Sequence, residues 1–205
     1  MLETGITPDF ITVDGGEGGT GAAPQEFSDN LGYPLRDALL LVHNSLVGVN
    51  LRDKIRIAAS GKVFASYGMA SALALGADWC NVARGFMFSV GCIQSQLCHT
   101  NLCPVGVATQ NKRLQKAVVV DEKAERAYQY HKNTVEGLAE TAAACGIASP
   151  SDFKPHHLFE RISPHAVRRF DQLYHFFEPG QLLDGDIPED LAFYWNEARA
   201  ETFAR

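Results

Sequence analysis

The sequence predicts an α/β fold in which helices cover a parallel sheet, and three observations support this class. Three short runs of apolar and β-branched residues, at 10–13, 55–59 and 79–83, have the composition of buried strands. The segments between the runs read as helices, one amphipathic over 35–49 and one over 66–75. Short loops join these segments, and such a strand–helix alternation is typical of parallel sheets.

Length and composition narrow the class of protein. The 205 residues suffice for one domain with a sizeable core, and 46% hydrophobic with 20% charged residues is ordinary for a globular protein. A net charge of −6 gives no reason to expect nucleic acid as a partner. No apolar stretch approaches the roughly 20 residues that span a bilayer. Five cysteines without an export signal indicate a reducing compartment, so we expect a cytoplasmic protein.

Glycine-rich or basic residues follow each predicted strand. The first strand runs into Asp14–Gly21, a loop with five glycines that could cradle an anion or a flat ring, or be a plain turn. Gly61 and Lys62 follow the second strand, and Arg84 with Gly85 follow the third. Since (β/α)8 barrels bind phosphate at the ends of their last two strands, these residues are candidate phosphate ligands. The alternative is that Lys62 and Arg84 are solvated loop residues.

The most informative stretch is 92–104, CIQSQLCHTNLCP. It holds Cys92, Cys98 and Cys103 at the spacing C-x5-C-x4-C, among polar neighbours. Several thiolates from one short loop suit an iron–sulfur cluster, and three ligands suggest a three-iron cluster, or a four-iron cluster with a fourth ligand from outside the loop. The alternative is a set of buried, inert cysteines, which the polar neighbours disfavour. Zinc would need a fourth ligand, for which His99 is the local candidate. Two further cysteines, Cys80 and Cys145, lie in apolar surroundings and read as inert core residues.

The rest of the chain reads as mainly helical. A long helix is predicted over 121–145 with Asp121 as its N-cap. Its expected core stripe is Tyr128, His131, Val135, Leu138 and Ala142. Prolines then punctuate the sequence, and short helices are expected around 165–177 and 189–203.

Three segments together resemble the large subunit of glutamate synthase. The run CIQSQLCHTNLCPVGVATQ, at 92–110, resembles the three-iron cluster loop of that family. The glycine loop before Ala22-Ala23-Pro24 resembles the family segment DGGTGASP, although Gly16-Glu17 stands where the family usually has His-Asp. The segment 177–180, FEPG, resembles FMN-binding members that lack the glutaminase domain. The similarity covers about 8–110 and continues more loosely towards 146.

The resemblance implies a fold and a set of binding residues. The fold is the C-terminal half of a (β/α)8 TIM barrel, its last three or so strands. This part spans 1–146 and includes the iron–sulfur loop at 92–104, and a helical tail spans 147–205. The implied ligands of a 3Fe–4S cluster are Cys92, Cys98 and Cys103. The residues implied around the FMN phosphate are Gly61, Lys62, Ala83, Arg84 and Gly85.

The resemblance also implies a reaction, the reductive synthesis of glutamate from 2-oxoglutarate and ammonia. The electron donor would be ferredoxin or a reductase subunit. Strands one to five of a barrel have no counterpart here, so the chain reads as part of a longer protein. We expect it alone to need the missing half or to oligomerise. The alternatives are an electron-transfer module for another partner, or an inactive truncated product.

Overall fold

The computed structural model describes residues 1–16 and 24–202. A parallel sheet holds β1 (Phe10–Asp14), β2 (Arg56–Ser60) and β3 (Trp79–Asn81), in that order. An antiparallel hairpin holds β4 (Phe159–Ser163) and β5 (Ala166–Arg169). The helices are α1 (Gln25–Asn30), α2 (Leu35–Gly48), α3 (Ser66–Ala74), α4 (Arg84–Ser89), α5 (Lys112–Gln115), α6 (Val120–Ala144), α7 (Phe170–Leu173) and α8 (Glu189–Glu197).

The strand register aligns the carboxyl ends of the three parallel strands. Asp14 pairs with Ser60, and Ser60 pairs with Asn81. The α/β class and the parallel sheet are therefore confirmed, and the strands form within one or two residues of their predicted bounds. The TIM barrel remains a prediction, since a three-stranded sheet is compatible with it but does not require it.

The core lies between the sheet and its helices. Leu39, Ile55, Ile57 and Leu75 are fully buried there. Phe170, from the tail, is also fully buried in the same cluster. The tail therefore contributes to the main core, and burial of these side chains stabilises the fold by about 1.5–3 kcal/mol each.

The long helix α6 packs through small and polar residues, which corrects its predicted stripe. Tyr128 and Val135 are exposed, whereas Thr134 and Ala142 are buried. The Ser66 hydroxyl of α3 donates to the carbonyl of Thr134. The predicted stripe was therefore wrong in its first half, because close helix packing here selects small side chains over large ones. Asp121 is also not the N-cap, since it lies in the first turn of α6 after the N-cap residue Val119.

The tail is only partly helical, so the predicted helix around 165–177 was wrong. The hairpin of β4 and β5 turns near Pro164 and occupies its first part, and only α7 is helical. Tertiary contacts fix this hairpin: Arg36 of α2 forms an ion pair with Glu160, and the Tyr67 hydroxyl donates to the Phe159 carbonyl. The helix predicted at 189–203 is confirmed as the shorter α8.

A partly buried ionic network lies at the opposite end of the sheet from the strand carboxyl ends. Arg52 donates to His43 Nδ1 at 3.2 Å and to Asp78 Oδ2 at 2.8 Å. Burial, and then the charge of Arg52, lower the pKa of His43 to about 4. Burial alone would raise the pKa of Asp78, but the N–H of Ile57 and the guanidinium groups of Arg56 and Arg52 outweigh it and lower that pKa. His43 is therefore a neutral acceptor at neutral pH.

In the part of the chain that the structure describes, no helix is both long enough and apolar enough to cross a bilayer.

Candidate functional site

Three polar residues form a row at the carboxyl ends of the parallel strands. Asp14, Ser60 and Asn81 end β1, β2 and β3 at the same level of the sheet. The Ser60 hydroxyl donates to Asp14 Oδ2 at 3.4 Å, and the Gly16 N–H donates to Asp14 Oδ1 at 2.9 Å. Side chains at these ends converge on the edge where α/β proteins bind ligands.

Gly61 and Lys62 continue this edge in unusual backbone conformations. Gly61 has φ +131°, and a Cβ added there would lie 3.2 Å from the amide nitrogen of Gly15. Lys62 has φ +49°, in the left-handed region that non-glycine residues seldom occupy. The chain therefore turns sharply after β2 and keeps its backbone close to the loop after β1.

A small cavity is lined by most of the residues that were predicted to lie around the flavin phosphate. Its walls include Gly61, Lys62, Ala83 and Arg84, together with Ser60 and Asn81. Arg84 is half-buried and Lys62 is exposed, so two cationic side chains flank one concave site. Four of the five residues predicted around the flavin phosphate are thus neighbours, and their charge suits a phosphate group.

Gly85, the fifth, has a different role. It is buried, and a Cβ added to it would overlap the Tyr130 hydroxyl and lie 2.5 Å from Tyr130 Cζ. The Tyr130 hydroxyl donates to the Phe64 carbonyl at 2.7 Å, and its ring packs edge-on against Phe86. Gly85 therefore lets α6 approach α4 and the loop after β2, and Tyr130 joins the segments that follow β2 and β3 to the long helix.

The cysteine loop connects α4 to α5, and several of its residues have a left-handed backbone conformation. The Cys92 N–H donates to the Met87 carbonyl, which continues the end of α4. Three non-glycine residues then have positive φ: Gln94, Gln96 and Asn101. A 3-10 turn over Cys98–Thr100 separates the last two. Each such residue costs about 1 kcal/mol or more, so the backbone of this loop is strained and must be held in this shape by the structure around it.

The three loop cysteines are free, and the environment of Cys103 favours a thiolate. Cys92 and Cys98 are half-buried, and Cys103 is buried. Burial raises the pKa of the Cys103 thiol, but backbone N–H groups of residues 105–108 face the sulfur and bring that pKa below its ordinary value. The Gln94 N–H also approaches Cys92 Sγ at 3.5 Å. Backbone N–H groups directed at sulfur are the usual surroundings of iron–sulfur ligands.

The other cysteines differ. Burial raises the pKa of the Cys80 thiol to about 11, so it remains protonated and unreactive. Cys145 packs against the main core. Within residues 1–16 and 24–202, no group of three or more His, Cys, Asp or Glu side chains is arranged to hold a metal ion. The three loop thiols and His99 are therefore not gathered around one point in this structure, and the iron–sulfur and zinc alternatives both stay predictions.

Sequence comparison identifies the family of this fold. A family model described as the conserved region in glutamate synthase matches residues 3–148. The chain belongs to the glutamate synthase family. It is 48% identical over 177 residues to the glutamate synthase large subunit-like protein YerD of Bacillus subtilis, a match that covers 86% of this chain and 34% of that protein.

Two further members of the glutamate synthase family show the range of similar proteins. The archaeal glutamate synthase [NADPH] of Methanocaldococcus jannaschii is 37% identical over 69% of this chain and 28% of its own length. The ferredoxin-dependent glutamate synthase 2 of Synechocystis is 37% identical over 53% of this chain and 7% of its own length. The chain thus spans about a third or less of the curated relatives that it matches.

Several residues of the site escaped prediction. The row of Asp14, Ser60 and Asn81 had a visible signal, a polar residue at the end of each predicted strand. Tyr130 had none, because its contact with Gly85 joins residues 45 positions apart. The glycine loop at 17–21 lies outside the described residues.

Proposed function

We propose that the chain forms the FMN- and iron–sulfur-binding part of a glutamate-synthase-like oxidoreductase. The reaction would convert 2-oxoglutarate and ammonia, with two electrons and two protons, into glutamate and water. The names of similar proteins support the reaction class: two are glutamate synthases that use NADPH or ferredoxin. When bound, the flavin would supply hydride transfer and the cluster one-electron transfer.

The phosphate of FMN would occupy the cavity at the carboxyl ends of β2 and β3. Lys62 and Arg84 would neutralise its charge, and the glycine at 61 allows close backbone approach. The lining of this cavity, with Lys62 and Arg84 beside Ser60 and Asn81, has the charge and the hydrogen-bonding groups that a phosphate would need. Gly85 would act indirectly by keeping Arg84 and the start of α4 in place against Tyr130.

The cysteine loop would hold the cluster through Cys92, Cys98 and Cys103. The observation that carries this proposal is that all three thiols are free on one strained loop, with backbone N–H groups directed at Cys103. Such groups stabilise thiolate ligands and raise the reduction potential of a cluster. The loop leaves directly from α4, whose first residue is Arg84, so cluster and flavin would lie on neighbouring segments.

Metal and sulfide analysis of anaerobically purified protein tests the proposal. We expect about three irons with acid-labile sulfide per chain, and loss of both when Cys92, Cys98 or Cys103 is replaced by Ser. The matched controls are Cys80→Ala and Cys145→Ala, which should leave the iron content unchanged. Stoichiometric zinc without sulfide would refute the cluster. Iron and FMN without glutamate formation from 2-oxoglutarate and ammonia would favour an electron-transfer module instead.

A further inference from the structure

Tyr130 of α6 contacts the segments that follow two neighbouring strands, β2 and β3. Its hydroxyl donates to the Phe64 carbonyl at 2.7 Å, in the segment between β2 and α3. Its ring packs edge-on against Phe86 of α4, with 5.0 Å between the ring centroids, and lies directly over Gly85. Both segments also line the cavity at the carboxyl ends of β2 and β3. One side chain of the long helix therefore connects two parts of the cavity wall.

The segment 61–65, which joins β2 to α3, depends on this contact at its second half. Val63 is buried in the main core and anchors the middle of the segment. The next side chain, Phe64, is 53% exposed, and Ala65 is exposed as well. Exposed side chains do little to fix a backbone, so the hydrogen bond from Tyr130 to the Phe64 carbonyl has a large share in holding this half in place.

The same segment holds a strained residue of the cavity wall. Lys62 has φ +49°, in the left-handed region that side chains other than glycine seldom occupy. Such a conformation persists only where the surrounding structure holds it. Lys62 lies two residues before the carbonyl that Tyr130 binds. Without that bond we expect the backbone at Lys62 to relax to negative φ, which would carry its side chain away from the cavity.

Arg84, on the other segment, depends on the ring of Tyr130. Arg84 is the first residue of α4, a helix of six residues whose N-cap, Ala83, makes no side-chain hydrogen bond. So short a helix has little stability of its own and takes its position from tertiary packing. The ring of Tyr130 packs on Gly85 and Phe86, the next two residues of α4. The hydroxyl of Tyr130 thus holds the Lys62 side of the cavity, and its ring holds the Arg84 side.

We propose that Tyr130 is a positioning residue for the phosphate site, and that it sets the preference of that site for FMN over riboflavin, the same flavin without its phosphate. This inference rests on the proposed function, in which the cavity binds the FMN phosphate. Tyr130 is not part of the cavity lining, so it acts through Lys62 and Arg84. Groups that are held in place before a ligand arrives bind it more tightly, because less order has to be created on binding.

The affinities of FMN and riboflavin test this inference. Both are measured by fluorescence quenching in a full-length protein that includes the rest of the barrel. Tyr130→Phe keeps the ring but removes the hydrogen bond to the Phe64 carbonyl. We expect FMN to bind about fivefold more weakly, the effect of one lost hydrogen bond, while the affinity for riboflavin changes by less than about twofold. A general loss of structure would weaken both flavins alike.

Tyr67→Phe is the matched control. The Tyr67 hydroxyl donates to the Phe159 carbonyl at the same distance, 2.7 Å, and Tyr67 lies on α3 outside the cavity lining. Urea denaturation should show similar losses of stability in the two variants, whereas only Tyr130→Phe should lower the ratio of FMN affinity to riboflavin affinity. In a Lys62→Gln background, Tyr130→Phe should weaken FMN binding by less than about twofold, because the cation that its hydroxyl positions is gone.

The ratio of the two affinities decides the outcome. If Tyr130→Phe keeps the ratio of the wild-type protein, the inference is overturned, whether the two affinities stay the same or fall together. An equal fall of the ratio in Tyr67→Phe would overturn it as well. A wild-type protein that binds riboflavin as tightly as FMN would show that the cavity does not bind the phosphate, and both the proposed phosphate site and this inference would fall. The wild-type ratio therefore distinguishes the two failures.

Discussion

The close contact between Gly85 and Tyr130 predicts that the effect of Gly85→Ala on stability depends on residue 130. The substitution should destabilise the protein when Tyr130 is present and stabilise it when Tyr130 is replaced by Ala. In Gly85→Ala the new methyl group overlaps the Tyr130 hydroxyl and lies 2.5 Å from Cζ, so the ring must leave its site. The chain then loses the hydrogen bond to the Phe64 carbonyl, about 1 kcal/mol, and the edge-on pair with Phe86, about 1 kcal/mol. Lost burial of the ring adds about 1–2 kcal/mol.

Alanine also has a favourable effect, because it is the better helix former. Replacing glycine in a helix stabilises it by up to about 1 kcal/mol, partly through the unfolded chain. The net expectation for Gly85→Ala is therefore a loss of about 2–3 kcal/mol in the free energy of unfolding. In a Tyr130→Ala background the overlap is gone, and the same substitution should stabilise by up to about 1 kcal/mol.

Urea denaturation of the four proteins in this double-mutant cycle gives the coupling directly. Gly68→Ala in α3 is the control, since a Cβ added there meets no heavy atom within 4 Å. It should be neutral or slightly stabilising with or without Tyr130. If Gly85→Ala costs the same free energy of unfolding with Tyr130 as with alanine at position 130, the close approach of α6 is not the reason that position 85 requires glycine.

Three further predictions concern the ionic network and the phosphate site. Between about pH 6.5 and pH 4 the unfolded chain binds a proton at His43 that the folded chain does not, so the free energy of unfolding should fall as pH drops through this window, by up to about 3 kcal/mol. His43→Gln should remove that part of the slope in urea titrations at several pH values; an unchanged slope would contradict the assignment. Asp78→Asn removes a charge that faces two arginines and should cost about 2–4 kcal/mol at pH 7, whereas the exposed Asp53→Asn should cost little. In a full-length protein that includes the rest of the barrel, Gly61→Val should abolish FMN binding measured by fluorescence quenching, whereas Gly68→Val should retain it. Equal affinities would show that the phosphate does not bind beside Gly61.

Local patterns sufficed for much of the fold because the elements that form the sheet carry their own signals. The β-branched run at 10–13 and the apolar spacing of 35–49 predict their elements independently of the rest of the chain. The strand order then brings Gly61 and Arg84 to one edge without any further information. This is why the residues that line the cavity after β2 and β3 could be grouped from sequence alone.

Contacts between distant residues account for the failures. The pattern of β4 and β5 is short, and its conformation depends on Arg36 and Tyr67, more than 90 residues earlier. The stripe of α6 was misplaced because Gly137 faces Ser66, where a larger side chain would not fit. Close packing of this kind requires small residues, and small residues do not produce the hydrophobic periodicity from which a buried helix face is predicted.

Backbone strain in the described residues concentrates in the loop after β2 and in the cysteine loop, the two segments that hold candidate ligand residues. Five non-glycine residues there have positive φ, and four of them are Lys62, Gln94, Gln96 and Asn101. At about 1 kcal/mol or more each, they cost a sizeable part of the 5–15 kcal/mol by which domains are typically stable. Glycine at these positions would relieve the strain, yet the chain has polar side chains there.

Part of this cost is offset by contacts that the cysteine loop makes with residues 109–110 and with α5. Asn101 is fixed by Gln110 and Thr109, and Gly106 rests against α5. The Gln94 N–H contacts Cys92 Sγ at 3.5 Å, an ordinary length for a hydrogen bond to sulfur, and this bond would strengthen if the sulfur were a thiolate. The strain at Gln94 is therefore offset little by its contact with the cysteine, and the proposed cluster ligation would account for it.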